Sequence, residues 1–264
     1  MTYRRPNVTA IRVKNATTRT ILKLPKLAET SDSSAMLKRA SRAKESSYPA
    51  TVAKPTKAGA KQGKAKVPSR KTSRSLTATK VEMILQGAYH AIVIGLPLNR
   101  MITIDWEQAL VDDCLAARAF FLRSLRDWLR SLGFATANVW VQECGDIIGT
   151  HTHMLVHVPP ACVARLGQLQ KGWLKRAGVV SKKGIIVSKP IGLTSWVAVS
   201  ADPETHVAYL RNLKEVVHYI AKDASSLARR KFRITKPGQF GIVVGKRAGT
   251  SRNLGAKAMR EKCG

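Results

Sequence analysis

The chain has 264 residues, with 46 Lys and Arg against 16 Asp and Glu and a formal net charge of +30. Hydrophobic residues make up 44%, enough for one substantial core or two small ones, and no run approaches the roughly 18–20 apolar residues of a membrane span. The charge calls for a polyanionic partner, nucleic acid before an anionic membrane surface.

Residues 1–80 hold 20 Lys and Arg against three acidic residues, a net +17. The stretch "AKPTKAGAKQGKAKVPSRKTSRS" has almost nothing to bury. Residues 1–80 are therefore expected to form a disordered basic tail that binds phosphate backbones without sequence preference. An ordered domain is expected over 81–235, followed by a basic C-terminal extension over 236–264. "YHAIVIG" and "RMITIDW" read as strands, the second with Ile102 and Ile104 on one side. From Glu107 to Leu132 the apolar spacing is helical and Gly133 stops it. "ANVWVQE" and "THTHMLVHV" read as antiparallel strands joined by the short turn "CGDIIG". A helix from Ala161 to Arg176, a strand "KGIIVSK" and a helical region over 204–230, broken in its middle, complete the order. The expected class is α+β, with helices packed on a central antiparallel sheet. Cys114, Cys144, Cys162 and Cys263 form no Cys-x-x-Cys pair and read as reduced thiols of a cytoplasmic chain.

Three of the six histidines crowd positions 151, 153 and 157. Alternation along a strand puts them on one face. Glu143, eight residues upstream on the preceding strand, returns beside His151 through the turn. Glu143, His151 and His153 thus form a mixed N/O set suited to Mg²⁺ or Mn²⁺ with positions left open for a phosphate oxygen. His157 is assigned a structural or DNA-contacting role. In "EVVHYIAKD", Tyr219 and Lys222 stand three residues apart, neighbours on a helix, with Glu215 and Asp223 flanking them. An adjacent ammonium favours a phenolate and can bind a scissile phosphate.

The two halves together resemble the HUH endonucleases. "ECGDIIGTHTHMLVHVP" is similar to their His-hydrophobic-His motif with its upstream acid. "YIAKD" is similar to the Tyr-x-x-Lys motif of their single-tyrosine replication initiators, the Rep proteins of bacterial plasmids and phages. "MITIDW" sits where that family has a short apolar first motif. The resemblance covers about residues 100–225. It implies a ferredoxin-like nuclease fold, metal ligation by Glu143, His151 and His153, nucleophilic attack by Tyr219 and assistance from Lys222. The implied reaction nicks a single-stranded or hairpin origin, leaving a 5′-phosphotyrosine link and a 3′ hydroxyl that primes rolling-circle synthesis. Host helicase and polymerase are the implied partners, in a DNA-associated cytoplasmic setting. Thr152 departs from the family's bulky apolar residue between the histidines. Tyr209 is a second candidate nucleophile but has no Lys three residues on.

A non-catalytic basic DNA-binding protein, a water-using metallonuclease and an HUH transposase or relaxase are the competing readings. "GIVVGKRAG" is no phosphate-binding loop, because only three residues separate Gly241 from Gly245 and Arg247 follows Lys246.

Overall fold

The structure is a computed structural model that describes residues 71–145, 149–180, 182–192 and 203–261. The expected tail up to residue 70, the tip of the "CGDIIG" turn and Cys263 lie outside them. The elements in chain order are β1 (Thr72–Ser73), α1 (Ala78–Val93), β2 (Arg100–Asp105), α2 (Cys114–Ser131), β3 (Asn138–Gly145) and β4 (Gly149–Val156). They continue with α3 (Val163–Arg176), β5 (Ile186–Pro190), α4 (Pro203–Ile220), α5 (Ser226–Phe232), β6 (Val243–Val244), β7 (Ala248–Thr250) and α6 (Ala256–Glu261). Five strands form an antiparallel sheet in the order β5-β2-β4-β3-β7, and β1 pairs with β6 as a separate ribbon. The α+β class with an antiparallel sheet is as expected. No helix among the described residues is long and apolar enough to cross a membrane.

Strand alternation gives the sheet two apolar faces, and helices cover both. Val139, Val141 and Leu155 pack with α1, α4 and α5 through Ile84, Ala88, Leu213, Val217 and Ala228. Ile102, Ile104, Trp140 and Met154 pack with α2 and α3 through Phe121, Leu125, Leu166 and Trp173.

Two local expectations fail for identifiable reasons. "YHAIVIG" is the C-terminal end of α1 and the turn that follows it, not a strand. Its β-branched end suggested a strand, but the buried residues Val81, Ile84, Ala88 and Ala91 recur at helical spacing once the window is widened. Thr77 Oγ1 caps the helix by accepting from Lys80 N, and Gly95, at φ 73°, turns the chain after it. The helix expected from Glu107 begins only at Cys114. Asp113 is its cap, accepting from Leu115 N and Ala116 N at 2.9 and 3.0 Å. The preceding residues form a turn closed by Asp105 Oδ1 accepting from Gln108 N at 3.0 Å.

Order also starts earlier than Val81. Leu76 is 1% exposed, and its backbone bonds both Asp223 O and Ser225 N. The break expected within 204–230 falls at the turn between α4 and α5. Within the range set apart as an extension, Ala248–Thr250 supply the sheet's edge strand β7. Gly87 of α1 faces it so closely that a Cβ would come within 3.2 Å of Thr250 Cγ2.

Arg247 ties these distant segments together. Its guanidinium donates to Asp223 Oδ2 at 3.0 Å, Ser73 O at 2.7 Å and Gly241 O at 2.6 Å, with side chains 3% and 1% exposed for Arg247 and Asp223. Removing one partner of a buried ion pair leaves the other charge uncompensated. Asp223→Asn keeps the shape and an acceptor while removing the charge. It is expected to lower the unfolding free energy by about 3–5 kcal/mol, read from urea denaturation. A loss below about 1 kcal/mol would show that the pair is not holding these segments.

Candidate active site

The β3–β4 hairpin builds the first half of the site. Its register sets Glu143 directly opposite His151, and β4 also pairs with β2 so that Thr103 stands opposite His153. Odd-numbered residues of β3 and β4 face the same side, so the carboxylate and both imidazoles meet over one sheet face. Glu143, His151 and His153 are 2%, 6% and 3% exposed. One ligand atom from each lies within 4.8 Å of the others. His151 Nε2 is 2.9 Å from Glu143 Oε2 and His153 Nε2 is 3.5 Å from the same oxygen. The imidazole rings meet edge-on, with centroids 4.9 Å apart.

The other ring nitrogens determine what this cluster can bind. His151 Nδ1 is 3.1 Å from the Gly149 carbonyl, which can only accept. His153 Nδ1 is 2.9 Å from Thr103 Oγ1. A neutral imidazole carries one N–H. Nε2–H of His151 donates to the Glu143 carboxylate in the structure, and ligating an ion would require each ring to turn an Nε2 lone pair to it while Nδ1 donates. The Lys222 ammonium is the cation that meets Glu143 Oε2 in the structure. His153 Nε2 and Glu143 Oε1 are also buried without a hydrogen-bond partner. Two imidazoles and one carboxylate at this spacing form a set able to hold a metal ion.

Burial acts to raise the Glu143 carboxyl, but its contacts with His151, His153 and Lys222 outweigh that and hold it below the usual carboxylate range. Burial is the main influence on His153 and lowers it, partly opposed by Glu143, so the ring favours the neutral form that ligates metal.

The second half comes from the end of α4. Tyr219 lies in its last turn, and Lys222 follows in the turn beyond, its N–H bonded to Tyr219 O at 3.2 Å. The expected neighbours are neighbours, although the helix ends at Ile220 between them. The Tyr219 ring meets His153 edge-on at 5.2 Å between centroids. Lys222 Nζ lies 4.4 Å from the Tyr219 ring centroid and forms an ion pair with Glu143 Oε2. All five residues expected at the site thus share one location.

Other expectations separate from it. Tyr209 is fully buried and its hydroxyl donates to Leu98 O at 3.0 Å. Burial pushes this phenol well above its ordinary value. It is a core residue and is discarded as a nucleophile. His157 lies just past β4, with Nδ1 2.8 Å from Pro97 O, a structural contact. Glu215 is exposed, and Asp223 turns to Arg247. Thr152 faces the opposite core, fully buried, where its hydroxyl accepts from Trp106 Nε1 at 2.7 Å.

Two residues near the chemistry escaped the sequence reading. Thr103 holds the His153 ring, and only the β2–β4 register reveals it. Lys236 Nζ stands 5.6 Å from the Tyr219 ring centroid. It is carried by a strap in which Gln239 N donates to Asp223 Oδ1 at 2.9 Å and Gly241 N to Cys144 O at 3.0 Å.

Groups that orient a ligating histidine typically contribute 10- to 100-fold in metal affinity. Thr103→Val preserves shape and removes the hydroxyl, so Mn²⁺ affinity is expected to fall about 10- to 100-fold in calorimetric titration. His153→Ala should abolish the binding isotherm, and unchanged affinity in both variants would rule out ion binding at this cluster. No family model, curated protein or solved structure matches this chain.

Proposed function

We propose that the protein is a metal-dependent nuclease that nicks single-stranded DNA through Tyr219, in the manner of the HUH replication initiators its motifs resemble. The observation that carries this reading is the convergence of a tyrosine, a lysine and a buried Glu/His/His group from separate parts of the chain. The net charge of +30 supplies attraction to a polyanion.

The Tyr219 hydroxyl attacks the scissile phosphorus. The phenol loses its proton, the O–P bond to the departing 3′ oxygen breaks, and that oxygen takes up a proton. The DNA is left as a 5′-phosphotyrosine ester and a free 3′ hydroxyl. A Mg²⁺ or Mn²⁺ ion held by Glu143, His151 and His153 supplies Lewis-acid polarisation of a phosphate oxygen. Lys222, between Glu143 and the Tyr219 ring, is placed to stabilise the phenolate and the charge on the phosphate. His153 supports the tyrosine ring edge-on, and Thr103 fixes His153. Lys236 adds a second ammonium over the ring. The ester conserves the phosphodiester bond energy, so rejoining to a 3′ hydroxyl stays open to the enzyme. Origin nicking for rolling-circle replication is the use proposed for this chemistry, with unwinding left to a partner.

Incubation with end-labelled single-stranded or hairpin DNA and Mn²⁺ is expected to give a protein–DNA adduct that survives boiling in detergent. Tyr219→Phe should abolish it and EDTA should suppress it. Lys222→Ala should slow its formation about 10²-fold. Tyr209→Phe should still form it. Two free DNA ends, with no adduct, would instead make the protein a hydrolytic nuclease. No cleavage on any strand would leave a DNA-binding protein.

A further inference from the structure

The sheet face opposite the candidate site carries a second concentration of charge. A groove of about 710 Å³ runs between α2 and the β3–β7 edge. Arg123, Arg126 and Arg130 on α2 and Arg252 after β7 line it, all four exposed, with Phe134 half-buried beside them. No carboxylate and no lysine lines it. The chain is rich in both Lys and Arg, yet this groove holds guanidinium alone. Guanidinium forks grip phosphate oxygens two at a time, whereas ammonium groups act as point charges.

The geometry suits one strand. Arg123, Arg126 and Arg130 fall at i, i+3 and i+7, a row on one helix face about 10 Å long. That row is long enough to meet about two or three successive phosphates of one strand. The volume is that of a small-ligand cleft, and half-buried Phe134 beside the row offers a ring on which an unpaired base can stack. Asp127, the one acid beside the row, is already bonded to Arg126 at 2.9 Å. The groove is separated from Glu143, His151 and His153 by the thickness of the sheet, since Trp140 on its floor projects from the face opposite Glu143.

We infer that this arginine groove binds the backbone of single-stranded DNA at a position separate from the Glu143–His151–His153 cluster. The inference holds whether or not Tyr219 cuts DNA. The test uses the full-length protein and fluorescently labelled oligo(dT), with anisotropy read across a salt series in EDTA so that cleavage cannot intrude. The variant carries Arg123→Gln, Arg130→Gln and Arg252→Gln, all surface positions. A control carries Lys171→Gln, Lys175→Gln and Lys183→Gln, the same charge removed from exposed lysines around another cleft. The groove variant is expected to weaken binding about tenfold or more and to reduce the salt slope by about 2. The lysine variant should change affinity less than about threefold. Equal losses in the two variants would reduce the effect to net charge and overturn the inference. An unchanged groove variant would also overturn it and leave the arginines for an acidic protein segment.

Discussion

One carboxylate oxygen organises the candidate site. Glu143 Oε2 lies in a position 2% exposed and is approached by His151, His153 and Lys222. An isolated charge there would be prohibitively costly, so the surrounding structure must keep its partners in reach. The hairpin register supplies His151, alternation supplies His153, and the end of α4 supplies Lys222. Tyr219 arrives with Lys222 because three residues of helical turn separate them. Placing Tyr219 beside the cluster is thus a by-product of satisfying a buried charge.

That arrangement relies on a second buried pair. Asp223 directly follows Lys222, and Arg247 fixes it from below while holding Ser73 and Gly241 through their carbonyls. Segments separated by more than 170 positions in the chain are joined at one guanidinium. Gly238 and Gly241 let the strap pass against this turn and against β3, where a side-chain carbon at either position would collide with Asp223 or the Cys144 carbonyl. Lys236 reaches the Tyr219 ring from that strap. Burial and a network of short contacts keep the end of α4 from drifting away from the sheet.

The parts of the site legible in the sequence were those set by local geometry. Alternation in "THTHMLVHV" and a short turn were enough to bring Glu143, His151 and His153 together, because both act within one hairpin. The three-residue spacing of Tyr219 and Lys222 likewise needs only a helical turn. What escaped depended on pairings between distant segments. Thr103 matters only because β2 lies in one particular register against β4. Arg247 and Lys236 acquire roles only when the C-terminal segment folds back. Tyr209 illustrates the reverse: its burial, invisible along the chain, removes it from contention. The error in α1 was one of window length, since a β-branched heptad conceals a helix whose period shows only over three turns. The arginine groove also escaped, because its residues are split between α2 and the segment after β7.

The threonine between the two histidines couples two positions that look unrelated in the sequence. Thr152 is the hydrogen-bond acceptor for the Trp106 indole in the core on the far side of the sheet. A bulky apolar residue at 152 would supply packing but orphan that indole N–H, and a Phe at 106 alone would leave the threonine hydroxyl without its donor. Each single step is penalised while the joint change is tolerable. The two positions should therefore drift as a unit among descendants of this sequence, and a redesign that introduces an aliphatic residue at 152 must begin with the tryptophan.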